Sequence, residues 1–255
     1  MTKRILAPIV GIVVFLAAWE GLVRAFKVRR YILRAPSSAV RYLWRFRSDF
    51  LDAAGTTAQH AAIGLLISLA VALLVGAVLA SNRFLEMATQ PVLVLVQVVP
   101  WIAYVASVVV WLGAGNGPVL FMVALVCLPA FVFATVDGMR SVEPASLELL
   151  ASVDAGRWET LRRLRLPAAA PTLFTAARFN IGLALATTYY VEGSNADNQG
   201  LGYIGIRAAS SSTGADRLWA TVFAMAMLGV IALAVLSWAQ RTLLHWHAAQ
   251  RSQPH

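Results

Sequence analysis

The sequence predicts an all-α protein that crosses a membrane with about six helices. Of its 255 residues, 59% are hydrophobic and only 13% are charged, whereas soluble domains average roughly 45–50% apolar and about 25% charged residues. One soluble core cannot hold this excess, because a soluble domain must also cover its surface with polar groups. The apolar residues come in runs of about 20, the length that spans a bilayer. We therefore expect one polytopic transmembrane domain, residues 1–255.

Six apolar runs define the predicted helices. The first run follows Lys3 and Arg4, but it is too long for a signal peptide and lacks a small-residue cleavage site, so we interpret it as an uncleaved span. A polar, basic stretch at residues 139–171 separates the fourth run from the fifth. The predicted spans are residues 5–23, 57–80, 90–112, 119–138, 172–191 and 218–240.

The second predicted span has a small residue at every fourth position. This spacing places the small side chains on one face of a helix, where the backbone of another helix can approach closely. The face can pack within the chain or against another subunit, and we favour packing within the chain. The stripe consists of Gly64, Ser68, Ala72, Gly76 and Ala80.

The distribution of basic residues predicts the orientation, because Lys and Arg collect in cytoplasmic loops. The stretch 139–171 contains five arginines, so we expect it to be cytoplasmic. Four spans precede it, which places the N-terminus in the cytoplasm, and the C-terminus with it. Segment 24–57 contains eight basic residues, yet the parity of the spans places it outside. Either the first run does not span, or this segment is an exception to the rule; we follow the parity.

Several function classes are disfavoured by the residues themselves. The net charge of +9 comes from basic residues between apolar runs, without the interleaved aromatics that would stack bases, so we expect no nucleic-acid partner. Cys127 is the only cysteine, which excludes an internal disulfide. The four histidines form no metal-binding pattern. We predict no metal site and no catalytic residues, and we expect the lipid bilayer to be the chain's surroundings.

The stretch SVEPASLELLASVDAGRWETLRRLRLPAAAP predicts two short helices between the fourth and fifth spans. The first begins near Pro144, and residues 154–156 break it, with Asp154 as a possible cap for the second. Pro167 and Pro171 are expected to end the second helix. That helix has an apolar side and an arginine-rich side. These features suit docking to a soluble partner or lying on anionic headgroups equally well. The apolar side carries Trp158, Leu161 and Leu164, and the basic side Arg157, Arg162, Arg163 and Arg165.

This stretch resembles the coupling motif of permease subunits in binding-protein-dependent ABC transporters, the type I importers. Glu148 matches the motif's glutamate, and Ala155 follows its usual glycine position. Asp154 replaces that glycine, and we expect Gly156 to supply the flexible turn instead. By this resemblance the ATPase-coupling loop is carried by Glu148, Asp154, Ala155, Gly156, Arg157, Trp158, Leu166 and Pro167.

Three further segments extend the resemblance over most of the chain. RRYILRAPSSAV is similar to a segment in the sulfonate, taurine and nitrate branch of the family. In the third span, Gln97, Pro100 and Gly113 match the family pattern. Glu192, followed by Gly-Leu-Gly-Tyr at 200–203, resembles another paired motif.

The resemblance implies a type I ABC importer permease in a bacterial inner membrane. Its implied partners are ABC ATPase subunits, an extracytoplasmic substrate-binding protein and a second, identical permease subunit. No Gly-x-x-x-x-Gly-Lys-Ser/Thr loop occurs in the sequence, so we expect the chain to bind no cofactor and not to be an enzyme by itself. ATP and magnesium would be bound by the partner ATPase. We expect a small polar, anionic solute, such as a sulfonate, taurine or nitrate.

Polar side chains inside the predicted spans are candidates for lining the pathway, since such groups are costly in a bilayer. Interhelical hydrogen bonding is the alternative explanation for them. A self-sufficient secondary transporter is the main rival function and would require inverted repeats. A membrane enzyme would require converging catalytic groups. The sequence shows neither feature convincingly. The candidate pathway residues are Gln97, Trp101, Asn180, Thr187, Tyr190 and Glu192.

Overall fold

A computed structural model describes residues 2–29, 32–195, 199–211 and 213–244, and every regular element in these ranges is helical. This confirms the all-α prediction. A 3-10 turn (Trp101–Tyr104) precedes α5, and a π turn (Leu161–Arg165) precedes α9. The helices are α1 (Thr2–Ala25), α2 (Pro36–Arg45), α3 (Arg47–Ser81), α4 (Arg83–Val98), α5 (Val105–Leu112), α6 (Asn116–Arg140), α7 (Pro144–Ser152), α8 (Arg157–Thr160), α9 (Leu166–Ser194), α10 (Leu201–Ala209) and α11 (Ala215–Leu243).

Helices α3, α6 and α9 form the centre of the bundle. The small-residue stripe of α3 lies against α6. A Cβ atom on Gly64 would fall 2.6 Å from the Cβ of Val123, and one on Gly76 would fall 2.5 Å from the Cγ2 of Thr135. The two backbones are therefore as close as glycine permits. The prediction that this face packs within the chain is confirmed.

Helices α1 and α11 lie at the periphery. Trp19 of α1 packs edge-on against Trp219 of α11, with 5.1 Å between ring centroids. Only 11% of the apolar stretch of α11 is buried, compared with 56% for α6. Apolar helix faces left uncovered to this extent are expected where the solvent is lipid.

Length and composition qualify three helices of the described part as membrane spans, namely α3, α6 and α11. Helices α4 and α5 qualify together as a fourth, although they are bent by 84° relative to each other. The predicted count of six spans is therefore not confirmed. Spans at α1 and α9 stay predictions.

The predicted third span, residues 90–112, differs from the structure, because it is broken rather than continuous. Helix α4 ends at Val98, and Val99 is extended with φ −67° and ψ 124°. Pro100 disfavours the helical conformation of the residue before it, and its nitrogen carries no hydrogen to donate. The chain resumes as the 3-10 turn and α5 in a new direction.

The predicted helix end at Pro167 and Pro171 is wrong. The backbone stays helical from Arg157 through the π turn into α9, and both prolines lie within it. Pro167 occupies the first turn of α9, directly after the π turn. A proline is accommodated there because the wider turn already shifts the hydrogen-bonding pattern. The second coupling helix and the fifth predicted span thus form one helical rod.

The two ends of the bundle carry different features. At one end, here called the α7 end, the C-termini of α3 and α6 meet α7 and α8. At the other, the α2 end, α2 contacts the C-terminal part of α1 and the N-terminal part of α11. The basic segment after α1 therefore lies at the end away from the predicted coupling loop. Its described residues include α2 and the first turns of α3.

Candidate coupling surface and pathway residues

Helices α7 and α8 form a helix–turn–helix whose apolar side chains are largely uncovered. Neither helix contains a buried residue. Leu149 and Val153 are each 68% exposed, and Trp158 is 70% exposed. Water does not stabilise such a cluster of large apolar side chains, and clusters of this kind mark surfaces that contact another molecule.

The turn between α7 and α8 depends on Asp154. Its φ of +53° lies in the left-handed region, which asparagine and aspartate tolerate better than other non-glycine residues. Gly156 has φ −66° and ψ 163°, a conformation open to any residue. The expectation that Gly156 replaces the missing glycine is therefore wrong, because Asp154 itself adopts the strained conformation. Asp154 also does not cap α8, whose N-cap is Gly156.

The sequence-predicted residues of the loop are divided between its outer and inner sides. Glu148, Asp154, Gly156 and Arg157 are exposed, whereas Ala155, Leu166 and Pro167 are half-buried. In the second coupling helix, Leu161 and Leu164 are half-buried as expected, but Trp158 faces outward.

Arg140, the last residue of α6, joins the ends of α3 and α4 beside this surface, a role that we did not predict. Its guanidinium donates to the carbonyl oxygens of Leu79 (3.1 Å) and Ala80 (3.4 Å), and it pairs with Glu86 of α4. A cation is favourable there, since the C-terminal carbonyls of a helix lack partners and carry partial negative charge. A cleft of about 670 Å³ lies between Ser81 and the two short helices.

At the α2 end, a buried polar cluster surrounds Glu192, which is fully buried in α9. Its carboxylate accepts a hydrogen bond from the hydroxyl of Thr57 (2.8 Å) and from the backbone amide of Gly202 (3.0 Å). The Nδ1 of His60 lies 2.8 Å from the second carboxylate oxygen. Glu192 therefore links α3, α9 and α10.

The cluster explains the Gly-Leu-Gly-Tyr motif physically. The first amides of α10 have no partner within the helix; Leu201 donates to the Thr57 hydroxyl (2.8 Å), and Gly202 donates to Glu192. Negative charge is favourable at the N-terminus of a helix, here that of α10. A Cβ on Gly200 would overlap the Glu192 carboxylate, and one on Gly202 would overlap the carbonyl oxygen of Tyr189. Both glycines are therefore needed for α10 to approach α9.

The other candidate pathway residues lie apart from this cluster. Asn180 is buried and donates to the carbonyl oxygen of Cys127 in α6 (3.1 Å). Thr187 is buried, and within the described part of the chain its hydroxyl has no partner. Trp101 and Tyr190 pack edge-on, 5.7 Å between centroids, while Gln97 is exposed near the end of α4. Lining of the pathway by these residues stays a prediction.

Comparison with known proteins identifies the family. A family model described as "Binding-protein-dependent transport system inner membrane component" matches residues 68–245. The chain belongs to this family. It is a multi-pass inner-membrane permease of an ABC importer, as the coupling motif predicted, and the family assignment disfavours the secondary-transporter and membrane-enzyme alternatives.

Curated relatives of this permease carry different solutes. It is 26% identical to the formylaminopyrimidine transport permease of Halalkalibacterium halodurans over 96% of this chain and 97% of the relative. It is 24% identical to the taurine transport system permease of Escherichia coli over 97% and 92%. The riboflavin permease of Chloroflexus aurantiacus is 31% identical over 66% of this chain and 62% of the relative.

The fold has a counterpart among solved structures. An inward-facing MetNI methionine ABC transporter chain aligns with a TM-score of 0.67 and 15% identity, covering 76% of this chain and 95% of that chain. This likeness confirms the type I importer permease fold.

His60 and Thr57 are the members of the Glu192 cluster that sequence reasoning missed. They lie more than 130 positions from Glu192, so no local spacing connects them. Among the described residues, no group of three or more His, Cys, Asp or Glu is arranged to hold a metal ion.

Proposed function

We propose that this permease couples to a separate ABC ATPase through the exposed residues Leu149, Val153 and Trp158, with the α7 end facing the cytoplasm. The observation that carries the proposal is the uncovered apolar surface of α7, α8 and the turn between them. The sequence contains no phosphate-binding loop. ATP and magnesium therefore belong to the partner in this proposal.

We further propose that a pair of identical copies forms the pathway for a small polar anion such as a sulfonate, taurine or nitrate, delivered by an extracytoplasmic binding protein. Support comes from segment 24–47, which contains eight basic residues and no acidic residue. It lies at the end opposite the coupling surface, where an anionic solute would be attracted. Formylaminopyrimidine-type solutes are the second candidate, because the formylaminopyrimidine transport permease aligns along almost the whole of this chain.

Replacing Leu149 and Val153 together by aspartate tests the coupling surface. Burying each side chain on docking is worth about 1.5 kcal/mol or more, so we expect the double variant to bind the ATPase at least tenfold more weakly. The measurement is co-purification of the ATPase encoded beside the permease, with ATP-dependent uptake in proteoliposomes as the second readout.

Leu51→Asp is the matched control, because Leu51 is 69% exposed but lies at the α2 end. It should leave ATPase binding intact. Unchanged co-purification and uptake in the Leu149→Asp, Val153→Asp variant would refute the coupling assignment. Competition among taurine, a sulfonate, nitrate and formylaminopyrimidine in the same vesicles tests the substrate, and competition by the pyrimidine alone would contradict the anion proposal.

A further inference from the structure

The outer face of α2 carries positive charge that the described residues do not neutralise. Arg41 and Arg45 lie one helical turn apart and are exposed. Arg34 pairs with Asp216 of α11. Within the described ranges, Arg41 and Arg45 have no acidic residue at ion-pair distance. This face therefore attracts an anion.

Two adjoining polar cavities lie beside these arginines. They have volumes of about 310 and 290 Å³, and both are lined by Arg34, Ser38 and Arg41. The larger one is also lined by Arg45 and by Asp216, whose carboxylate is paired with Arg34. A water molecule occupies about 30 Å³ in the liquid. Each cavity therefore has room for a group as large as a phosphate diester, with guanidinium and hydroxyl donors in its wall.

An apolar groove begins near the same place and runs along the bundle. Helices α1 and α11 line it with apolar side chains only, including Phe15, Trp19, Phe223 and Ile231, and its volume is about 490 Å³. On α11 the groove runs from Val222 to Ile231, and Val222 lies six residues beyond Asp216, at the polar end of the helix. At 1.5 Å per residue the nine residues of the groove span about 14 Å, close to the depth of one leaflet of a hydrocarbon core about 30 Å thick.

Exposed side chains of α2 fit the boundary between headgroups and acyl chains. Val40 is 53% exposed, and Trp44, one turn later, is 71% exposed. The Arg47 guanidinium lies 5.6 Å from the Trp44 ring centroid. Tryptophan is enriched at this depth of a membrane, and basic amphipathic helices bind anionic lipid surfaces.

We propose that the α2 end holds one anionic phospholipid, with its phosphate at Ser38, Arg41 and Arg45 and an acyl chain in the groove between α1 and α11. Net negative charge is required because a zwitterionic headgroup brings its own cation and leaves the two arginines less compensated. The inference depends on the chain lying in a bilayer, and on neither the transported solute nor the ATPase.

Native mass spectrometry of the full-length permease, presented with equal amounts of phosphatidylglycerol and phosphatidylcholine, tests this site. We expect the wild type to retain one phosphatidylglycerol in about tenfold preference over phosphatidylcholine. Arg41→Gln with Arg45→Gln should lower that preference about tenfold, to near equality. Arg207→Gln is the matched control, because this exposed arginine on α10 stacks on Tyr203 outside the groove, and it should keep the preference.

A second variant, Ala226→Phe, fills the groove without touching the arginines, since Ala226 is exposed on the groove wall. It should reduce retention of phosphatidylglycerol severalfold. The proposal fails if the wild type shows no headgroup preference, or if the arginine variant keeps it. It also fails if millimolar glycerol phosphate displaces the lipid completely, because the site would then bind a soluble anion. Thermal unfolding of each variant confirms that the fold is intact.

Discussion

Removing the Glu192 carboxylate is expected to destabilise the bundle and release α10. Three groups lose their hydrogen-bond partner in Glu192→Ala: the Thr57 hydroxyl, the His60 ring and the Gly202 amide. Hydrogen bonds between membrane helices average about 0.6 kcal/mol each, so a lower bound is about 2 kcal/mol. Removing one partner of a buried pair costs about 3–5 kcal/mol when both groups are charged, which sets the upper bound.

The assay is unfolding of the purified permease in mixed micelles, followed by tryptophan fluorescence, together with hydrogen exchange of the α10 amides. Glu192→Ala should lower the free energy of unfolding by about 2–5 kcal/mol and speed exchange at Leu201 and Gly202. Glu192→Gln keeps an acceptor for the Gly202 amide, so its loss should be smaller, about 1–2 kcal/mol.

Glu159→Ala provides the control. Glu159 pairs with Arg163 in an exposed i,i+4 arrangement, and such surface pairs contribute about 0–1 kcal/mol. If Glu192→Ala stays within about 0.5 kcal/mol of the wild type and the α10 amides keep their protection, the carboxylate does not hold α10, and the physical account of the Gly-Leu-Gly-Tyr motif is wrong.

Two further predictions concern backbone positions. Gly64→Ala should lower the free energy of unfolding by about 1–3 kcal/mol, because the added Cβ would fall 2.6 Å from the Val123 side chain. Gly55→Ala is the control in the same helix; it has open space around it and should raise the free energy of unfolding by about 0.5–1 kcal/mol. Equal effects of the two variants in thermal unfolding would contradict the close packing of α3 on α6. Asp154→Ala should lower the local stability of α7, measured by hydrogen exchange, by about 1 kcal/mol, because alanine tolerates the positive φ less well. Gly156→Ala should change that local stability by no more than about 0.5 kcal/mol. A larger effect at Gly156 than at Asp154 would refute the turn geometry.

The sequence predicted what depends on local pattern. Apolar runs located the helices, and four-residue spacing identified the face of α3 that packs on α6, since a helix returns to the same face about every 3.6 residues. The prolines were harder to interpret. Pro100 breaks a helix, whereas Pro129 of α6 and Pro171 of α9 do not. In a bilayer the backbone has no water to bond, so helices persist through prolines that neighbouring groups can accommodate.

The buried cluster could not be predicted by the same means. The sequence marks Glu192 as a motif residue and a candidate pathway residue, but its side-chain partners come from α3, far away in sequence. In the sequence, Arg140 is recognisable only as one positive charge of a basic stretch. Its contact with the carbonyl oxygens of Leu79 and Ala80 depends on how α3 and α6 end side by side, which is a property of the packed bundle.

The two family motifs lie at opposite ends of the rod formed by α8, the π turn and α9, and they differ in how their side chains are satisfied. Around Glu192, both carboxylate oxygens are bonded within the chain, so folding alone accounts for the motif. On either side of Asp154, the side chains of Leu149 and Trp158 are uncovered, and no described part of the chain buries them. A strained turn that presents unburied apolar side chains is costly for an isolated subunit. The coupling motif is therefore the one at which we propose a partner, and ATPase binding is the measurement that tests this proposal.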